Sequence, residues 1–128
     1  MADLAYLLDT NICIHMFAAS IEPLRARVEQ IEVGSLAISA IVFAELAAGI
    51  ERHDHRRAVE FGRLLQIAEL LPFDYDAAQV YGTLPFKRAK FDRLIAAHAL
   101  SSGLTLVTAN TADFSNIPNL KIENWTLP

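Results

Sequence analysis

Leu4-Ala5-Tyr6-Leu7-Leu8-Asp9-Thr10-Asn11, residues 4–11, is the stretch from which the fold is read. Its apolar run is short, contains the strand-former Tyr6, and stops at Asp9-Thr10-Asn11, all helix-capping residue types. A strand here runs straight into a helix. The same succession recurs downstream. A helix is expected over Ile21 to Ile31, with Pro23 tolerated in its first turn. Leu36 to Ile38 then reads as a short buried strand, and Ser39 as the cap of a helix from Ala40 to Arg52.

A polar segment, His53 to Arg57, leads into helical spacing at Phe61, Leu64, Leu65 and Ala68 that ends near Leu70. Leu71-Pro72-Phe73 is expected as a short edge strand, after which Asp74 or Asp76 begins a helix through Ala77, Val80 and Tyr81. Gly82 and Pro85 break it. From Phe91 a strong helix, Asp92 to Leu100, ends at Gly103, a usual stopping position. Leu104 to Val107 follows as a strand, Thr108 to Phe114 as a polar turn with one helical turn, and Leu120 to Ile122 as a last strand before Trp125. Short apolar strands alternating with helices give an α/β fold, a mainly parallel sheet of four or five short strands with helices on both faces. In such a sheet, sites form beyond the carboxyl ends of strands, where Asp9 and Asn110 both fall.

Composition narrows the function. At 128 residues, 53% of them hydrophobic and 20% charged, the chain has the size of one domain, taken as 1–128, with enough apolar residues for a core. No apolar stretch reaches the roughly 18 residues of a membrane span, and Met1-Ala2-Asp3-Leu4 lacks the basic start of a signal peptide, so a cytoplasmic protein without membrane contact is expected. Cys13, the single cysteine, reads as core filler. The net charge of −4 argues against a generally basic nucleic-acid surface. A nucleic-acid role would have to be local, through Arg52, His53, His55, Arg56 and Arg57 or through Lys87, Arg88, Lys90 and Arg93; solvated charged faces are the other reading of both clusters.

The carboxylates are more telling. Asp9 sits at the mouth of the sheet, either as a helix cap, a role Asn11 could also fill, or as a functional acid. Glu45 lies among Ile41, Val42, Phe43, Ala44, Leu46, Ala47 and Ala48, and a helix apolar almost all round is usually buried. A carboxylate there calls for a cation or hydrogen-bond donors. Asp92 stands in a first helical turn, where it complements the helix dipole; Ala96 and Ala99 on its face would leave room above the sheet. Thr108, Asn110 and Asp113 belong to a loop leaving the same sheet edge as Asp9. Carboxylates converging at one crevice repel one another unless a cation intervenes, and oxygen ligands suit Mg2+ or Mn2+. Phosphodiester hydrolysis is the natural reaction for such an ion.

Other chemistries lack their motifs: the chain has no glycine-rich phosphate loop and no Gly-x-Ser-x-Gly elbow. His15, His53, His55 and His98 show no metal-binding helical spacing. At about 100° per residue His98 lies about 240° around from Asp92, and reads as packed or surface.

Taken together, Leu8-Asp9-Thr10-Asn11, Glu45 with Leu46 and Gly49, Phe91 to Ala99, and Leu106-Val107-Thr108-x-Asn110-x-x-Asp113-Phe114 resemble the PIN-domain family, and within it the VapC-type toxin ribonucleases. Ile117-Pro118-x-Leu120-Lys121-Ile122-Glu123-Asn124-Trp125 resembles the family's C-terminus, so the likeness covers nearly the whole chain. It implies a three-layer αβα PIN-like domain and an endoribonuclease dependent on Mg2+ or Mn2+. The family acids map onto Asp9, Glu45 and Asp92, supported by Thr10, Asn11 and Thr108, with Lys87, Arg88, Lys90 and Arg93 as RNA contacts.

The resemblance further implies a cognate VapB-type antitoxin whose C-terminal segment blocks the acidic site and whose own N-terminal domain binds operator DNA. A toxin homodimer within a larger toxin-antitoxin complex is part of that expectation. The chain departs from the family pattern at the fourth acid, which is Asn110 here, leaving Asp113 as the loop's carboxylate, and in the short interval between Tyr81-Gly82 and Phe91-Asp92. A binding module that holds a basic peptide in its acidic crevice without turnover is the alternative reading.

Overall fold

The computed structural model describes residues 3–52, 55–85 and 90–128, Lys90 by its backbone alone. His53, Lys87 and Arg88, among the candidate RNA contacts, lie outside the described residues. In chain order the elements are β1 (Tyr6–Leu8), α1 (Thr10–Ala18), α2 (Glu22–Gln30), β2 (Leu36–Ser39) and α3 (Ala40–Arg52). After a 3-10 turn at His55–Arg57 come α4 (Ala58–Ile67), β3 (Ala68–Leu71), α5 (Tyr75–Thr83), α6 (Lys90–Ser102), β4 (Thr105–Val107), α7 (Thr111–Phe114) and β5 (Ile122–Glu123).

Five strands form one sheet in the order β3-β2-β1-β4-β5, every pairing parallel. The central strands are buried on both faces. Leu7 and Leu8, Ala37 and Ile38, and Leu106 and Val107 are consecutive pairs with no exposure at all. Successive strand residues point to opposite faces, so helices cover both sides and the architecture has three layers. Truncating Ile38 or Leu106 to alanine is expected to cost about 2–5 kcal/mol.

From β1 the chain steps outward through β2 to β3, then returns across the sheet to place β4 on the other side of β1. That reversal opens a crevice at the carboxyl ends of β1 and β4, the usual position of a ligand site in an open parallel sheet. The two ends are stitched together there, since the Asp9 backbone N–H donates to the Val107 carbonyl at 2.9 Å.

Several expectations shift in register. The fourth helix stops at Ile67 rather than near Leu70, and the edge strand is Ala68–Leu71 rather than Leu71 to Phe73. Pairing decides this: Leu36 faces Ala68 and Ser39 faces Leu71, and the ladder ends before Pro72, which has no N–H to give it. The last strand is Ile122–Glu123, braced by Trp125. Its indole N–H donates to Glu123 at 2.9 Å, and its ring meets Tyr6 edge-on at 4.9 Å. Asp74, not Asp76, caps α5, accepting from the Ala77 N–H at 3.0 Å.

Cys13 is fully buried core filler. Ala96 and Ala99, expected to leave space, are completely buried in the hydrophobic core. Their small size serves packing. Gly103, at φ 68°, takes the left-handed conformation that ends α6.

Candidate active site

Asp9 leaves β1 as the cap of α1 and is 4% exposed. Both its oxygens are used: Oδ1 accepts from the Thr10 backbone N–H at 2.7 Å, and Oδ2 accepts from the Thr108 hydroxyl at 2.8 Å. Cap and site acid are therefore one carboxylate. Thr108, fully buried just past β4, has its own Oγ1 fixed by the Asn110 backbone N–H at 3.0 Å, which directs the hydroxyl proton at Asp9. Thr10 works in the other direction as well, its hydroxyl donating to Glu45 Oε1 at 2.7 Å. One connected path of hydrogen bonds thus runs from the loop after β4, through the start of α1, to the middle of α3.

Glu45 is half-buried. Only Val42 and Leu46 of α3 are fully buried, and Ala44 is exposed, so the helix hides one stripe and not its whole circumference. The sequence overstated its burial because small apolar side chains are tolerated at a surface.

Asp92, also half-buried, stands in the first turn of α6 and accepts no hydrogen bond among the described residues. Burial, with the charges of Asp9, Asp113 and Glu45 added, pushes its carboxyl up to about 6; the Arg93 guanidinium opposes the rise. Asp9 is raised by burial and by Asp113, against the hydrogen bonds from Thr108 and Thr10. Burial and Asp9 raise Glu45, against the Thr10 hydroxyl. Asp9, Glu45 and Asp92 are each pushed up by another acid, with Asp113 acting on two of them, so the four carboxylates share one electrostatic field. Among the described residues no three His, Cys, Asp or Glu side chains are closed into a preformed metal-binding set. What converges is charge, in an all-oxygen environment of the kind that hard divalent cations take.

The loop after β4 separates its two candidates. Asn110 is exposed, and its backbone makes its contacts, the N–H to Thr108 and the carbonyl accepting from the Asp113 N–H at 3.1 Å. Asp113 is exposed too, but its charge reaches both Asp9 and Asp92. Asn11 is exposed one residue beyond Thr10 and adds no hydrogen bond among the described residues.

Arg93, expected at an RNA-facing surface, is 3% exposed and turned into the protein, where Nη2 donates to Asn116 Oδ1 at 2.9 Å. Nη1 is buried with no hydrogen-bond partner among the described residues. The side chain ties α6, which carries Asp92, to the segment that follows Asp113. Asn116 was invisible to sequence reasoning, since a lone Asn 23 residues away carries no local signal. His98 is packed: its Nδ1 lies 2.8 Å from Ser39 Oγ, which already accepts from the Ile41 N–H at 3.0 Å. Ser39 and His98 are thus hydrogen-bonded to each other, and burial lowers the affinity of His98 for a second proton. The pair fastens β2 to α6 away from the acids.

The chain matches the family model of the PIN domain over residues 6–120. It is 33% identical to the tRNA(fMet)-specific endonuclease VapC of Salmonella typhimurium, with 95% of this chain and 98% of that protein covered. Identity to ribonuclease VapC2 of Rickettsia felis is 32%, over 94% of this chain and 97% of the relative. Among solved structures, VapBC2 from Rickettsia felis bound to a DNA fragment from their promoter superposes with a TM-score of 0.83 at 31% identity, covering 95% of this chain and 99% of that one. DNA-bound VapBC from Salmonella typhimurium gives 0.83 at 32% identity, covering 95% and 98%.

Proposed function

The chain belongs to the PIN-domain family, and on that premise we propose that it is the ribonuclease toxin of a VapBC-type pair, with Asp9, Glu45 and Asp92 as its metal-holding acids. The observation that carries the assignment is the shared field of four carboxylates at the crevice beyond β1 and β4. Asp9 and Asp92 are the main ligands, Glu45 a direct or water-mediated one, and Asp113 completes the set through water. Mg2+ is the resident ion and Mn2+ its substitute. When bound, the ion supplies Lewis-acid polarisation of the phosphodiester and an acidified water.

The chain's own residues prepare that chemistry. Thr10 holds Asp9 through its N–H and Glu45 through its hydroxyl, so one residue sets the spacing of two acids. Thr108 occupies one lone pair of Asp9 Oδ2, and the carboxylate keeps further acceptor capacity for a cation. Asp92, with no donor of its own among the described residues, is the acid whose charge a cation relieves most. Arg93 holds α6 against the loop of Asp113, keeping two acids on different elements in register.

The protein assembles with a cognate VapB-type antitoxin, which supplies the DNA contact of the complex, and toxin pairs with toxin inside it. Among the described residues no helix is long and apolar enough to cross a membrane, and we place the complex in the cytoplasm with its RNA. Cleavage of total RNA is the test. Activity with Mg2+ or Mn2+, abolished by EDTA and by Asp9→Asn, is expected; undiminished cleavage in excess EDTA contradicts the metal mechanism.

A further inference from the structure

The crevice continues along α3 into a groove of about 410 Å3 that Glu45 itself lines. One wall is the outward stripe of α3, Ile41, Ala44, Ala48, Gly49 and Arg52; the other is Phe91, in the first turn of α6 beside Asp92. Phe91 is 57% exposed while Ile95, one turn on, is fully buried, so its ring faces the groove instead of the core. An exposed aromatic face is a stacking surface for a nucleobase. Arg52 is exposed and forms no ion pair among the described residues. It is the cation of a groove whose other charged residue is Glu45, and a phosphate is the natural complement.

Gly49 points the same way. A Cβ added there would meet nothing within 4 Å, so packing does not require glycine, and alanine is the better helix former. The glycine keeps the floor of the groove open.

We propose that this groove is a subsite for one unpaired nucleotide of the RNA substrate, its base stacked on Phe91 and its phosphate met by Arg52, next to the scissile phosphate at the acids. The inference rests on the ribonuclease reading and adds a requirement for a single-stranded position beside the cut. A paired base hides its faces within the helical stack, whereas a looped-out base offers them. The volume suits a nucleotide-sized guest. Continuity with the acids through Glu45 favours substrate over a second copy of the chain.

The test is fluorescence anisotropy with a short fluorescein-labelled oligoribonucleotide of mixed sequence, single-stranded or annealed to its complement, in the Asp92→Asn background where the strand stays intact. Phe91→Ala is expected to weaken single-strand binding about tenfold, Phe91→Trp to restore it, and Arg52→Gln to weaken it with a shallower salt dependence. Duplex binding is expected to change little on Phe91→Ala. In otherwise wild-type protein with Mg2+, Phe91→Ala is expected to raise KM with kcat within about threefold.

Wild-type-like binding and KM in both Phe91→Ala and Arg52→Gln overturn the subsite while leaving the nuclease reading intact. Equal weakening of single strand and duplex overturns it too. So does a dimer turned monomer by Phe91→Ala, on light scattering, with RNA affinity unchanged, which assigns the groove to a second copy. Binding lost in Phe91→Ala by a protein that cuts no RNA supports the groove and contradicts the nuclease reading.

Discussion

At the amino end of the sheet, Leu4, Ile31, Val33, Leu36, Leu65 and Ile67 line a cavity of about 630 Å3, roomier than the groove of about 410 Å3 beside the acids. At the carboxyl end the space is smaller, yet burial and neighbouring charge push the carboxyls of Asp9, Glu45 and Asp92 upward there, Asp113 adding its charge at Asp9 and Asp92. Cavity size follows from where helices splay, and although Asp3, Glu29, Glu32 and Glu69 also line the larger cavity, size alone does not mark a site. Partly desolvated carboxylates held against mutual repulsion are a feature that packing alone does not produce, and the proposed chemistry is placed on them.

The largest effect expected from that contrast is on catalysis. Asp9→Asn or Asp92→Asn should lower RNA cleavage by roughly 100-fold or more in a gel assay, as removal of a principal transition-state contact does. Val33→Ser at the opposite end, 81% exposed, should leave it within about twofold. Comparable losses at both ends would break the comparison.

Removing one donor comes next. Thr10→Val keeps the backbone N–H to Asp9 but deletes the hydroxyl bond to Glu45. A loss of about 1 kcal/mol of stability in urea titration is expected, with roughly tenfold lower activity from the freed Glu45. At the amino end no such hydroxyl-to-acid pair lines the cavity among the described residues, and Val33→Thr should be silent in both assays.

Much of this contrast was legible in the chain and some was not. The strand and caps around Asp9 follow local rules, as do Ser39 as a cap and Gly103 as a stop, because each signal lies within a few residues of its effect. The edge strand was misplaced because Ala68 continues the three-four spacing of Phe61 and Leu64, and an edge strand covered on one side offers little alternation to oppose it. Ala96 and Ala99 were read as room because composition gives side-chain size but not what fills the space beside it. Thr10 to Glu45 and Thr108 to Asp9 span 35 and 99 residues, and Arg93 to Asn116 spans 23. Only the folded chain brings such partners together. Asp9 and Asp92 stand at element ends, where local signals can place them, whereas the inward turn of Arg93 has no such signal.

Smaller effects concern the empty-handed stability of the site. Mn2+ at about ten times its Kd should stabilise the wild type by roughly 1.4 kcal/mol, and much less in Asp92→Asn, in a melting experiment. Without divalent ions, Asp92 holds a proton in the folded chain between about pH 4 and 6 that the unfolded chain has released. Stability therefore falls as pH rises through that window and stays reduced above it. Asp92→Asn should melt higher than wild type at pH 7.5, by about 1 kcal/mol after allowance for solvent screening, or roughly 3–6 °C. The difference should vanish near pH 4. Amino-end substitutions should show no such pH-dependent difference.

The most direct test of the carboxyl-end account is the titration of the Asp92 carboxyl carbon by NMR, with and without saturating Mg2+. The account predicts a midpoint near 6 without metal, lowered by more than a pH unit when Mg2+ is present. A midpoint at the ordinary aspartate value of about 3.9, the same in both conditions, would contradict it.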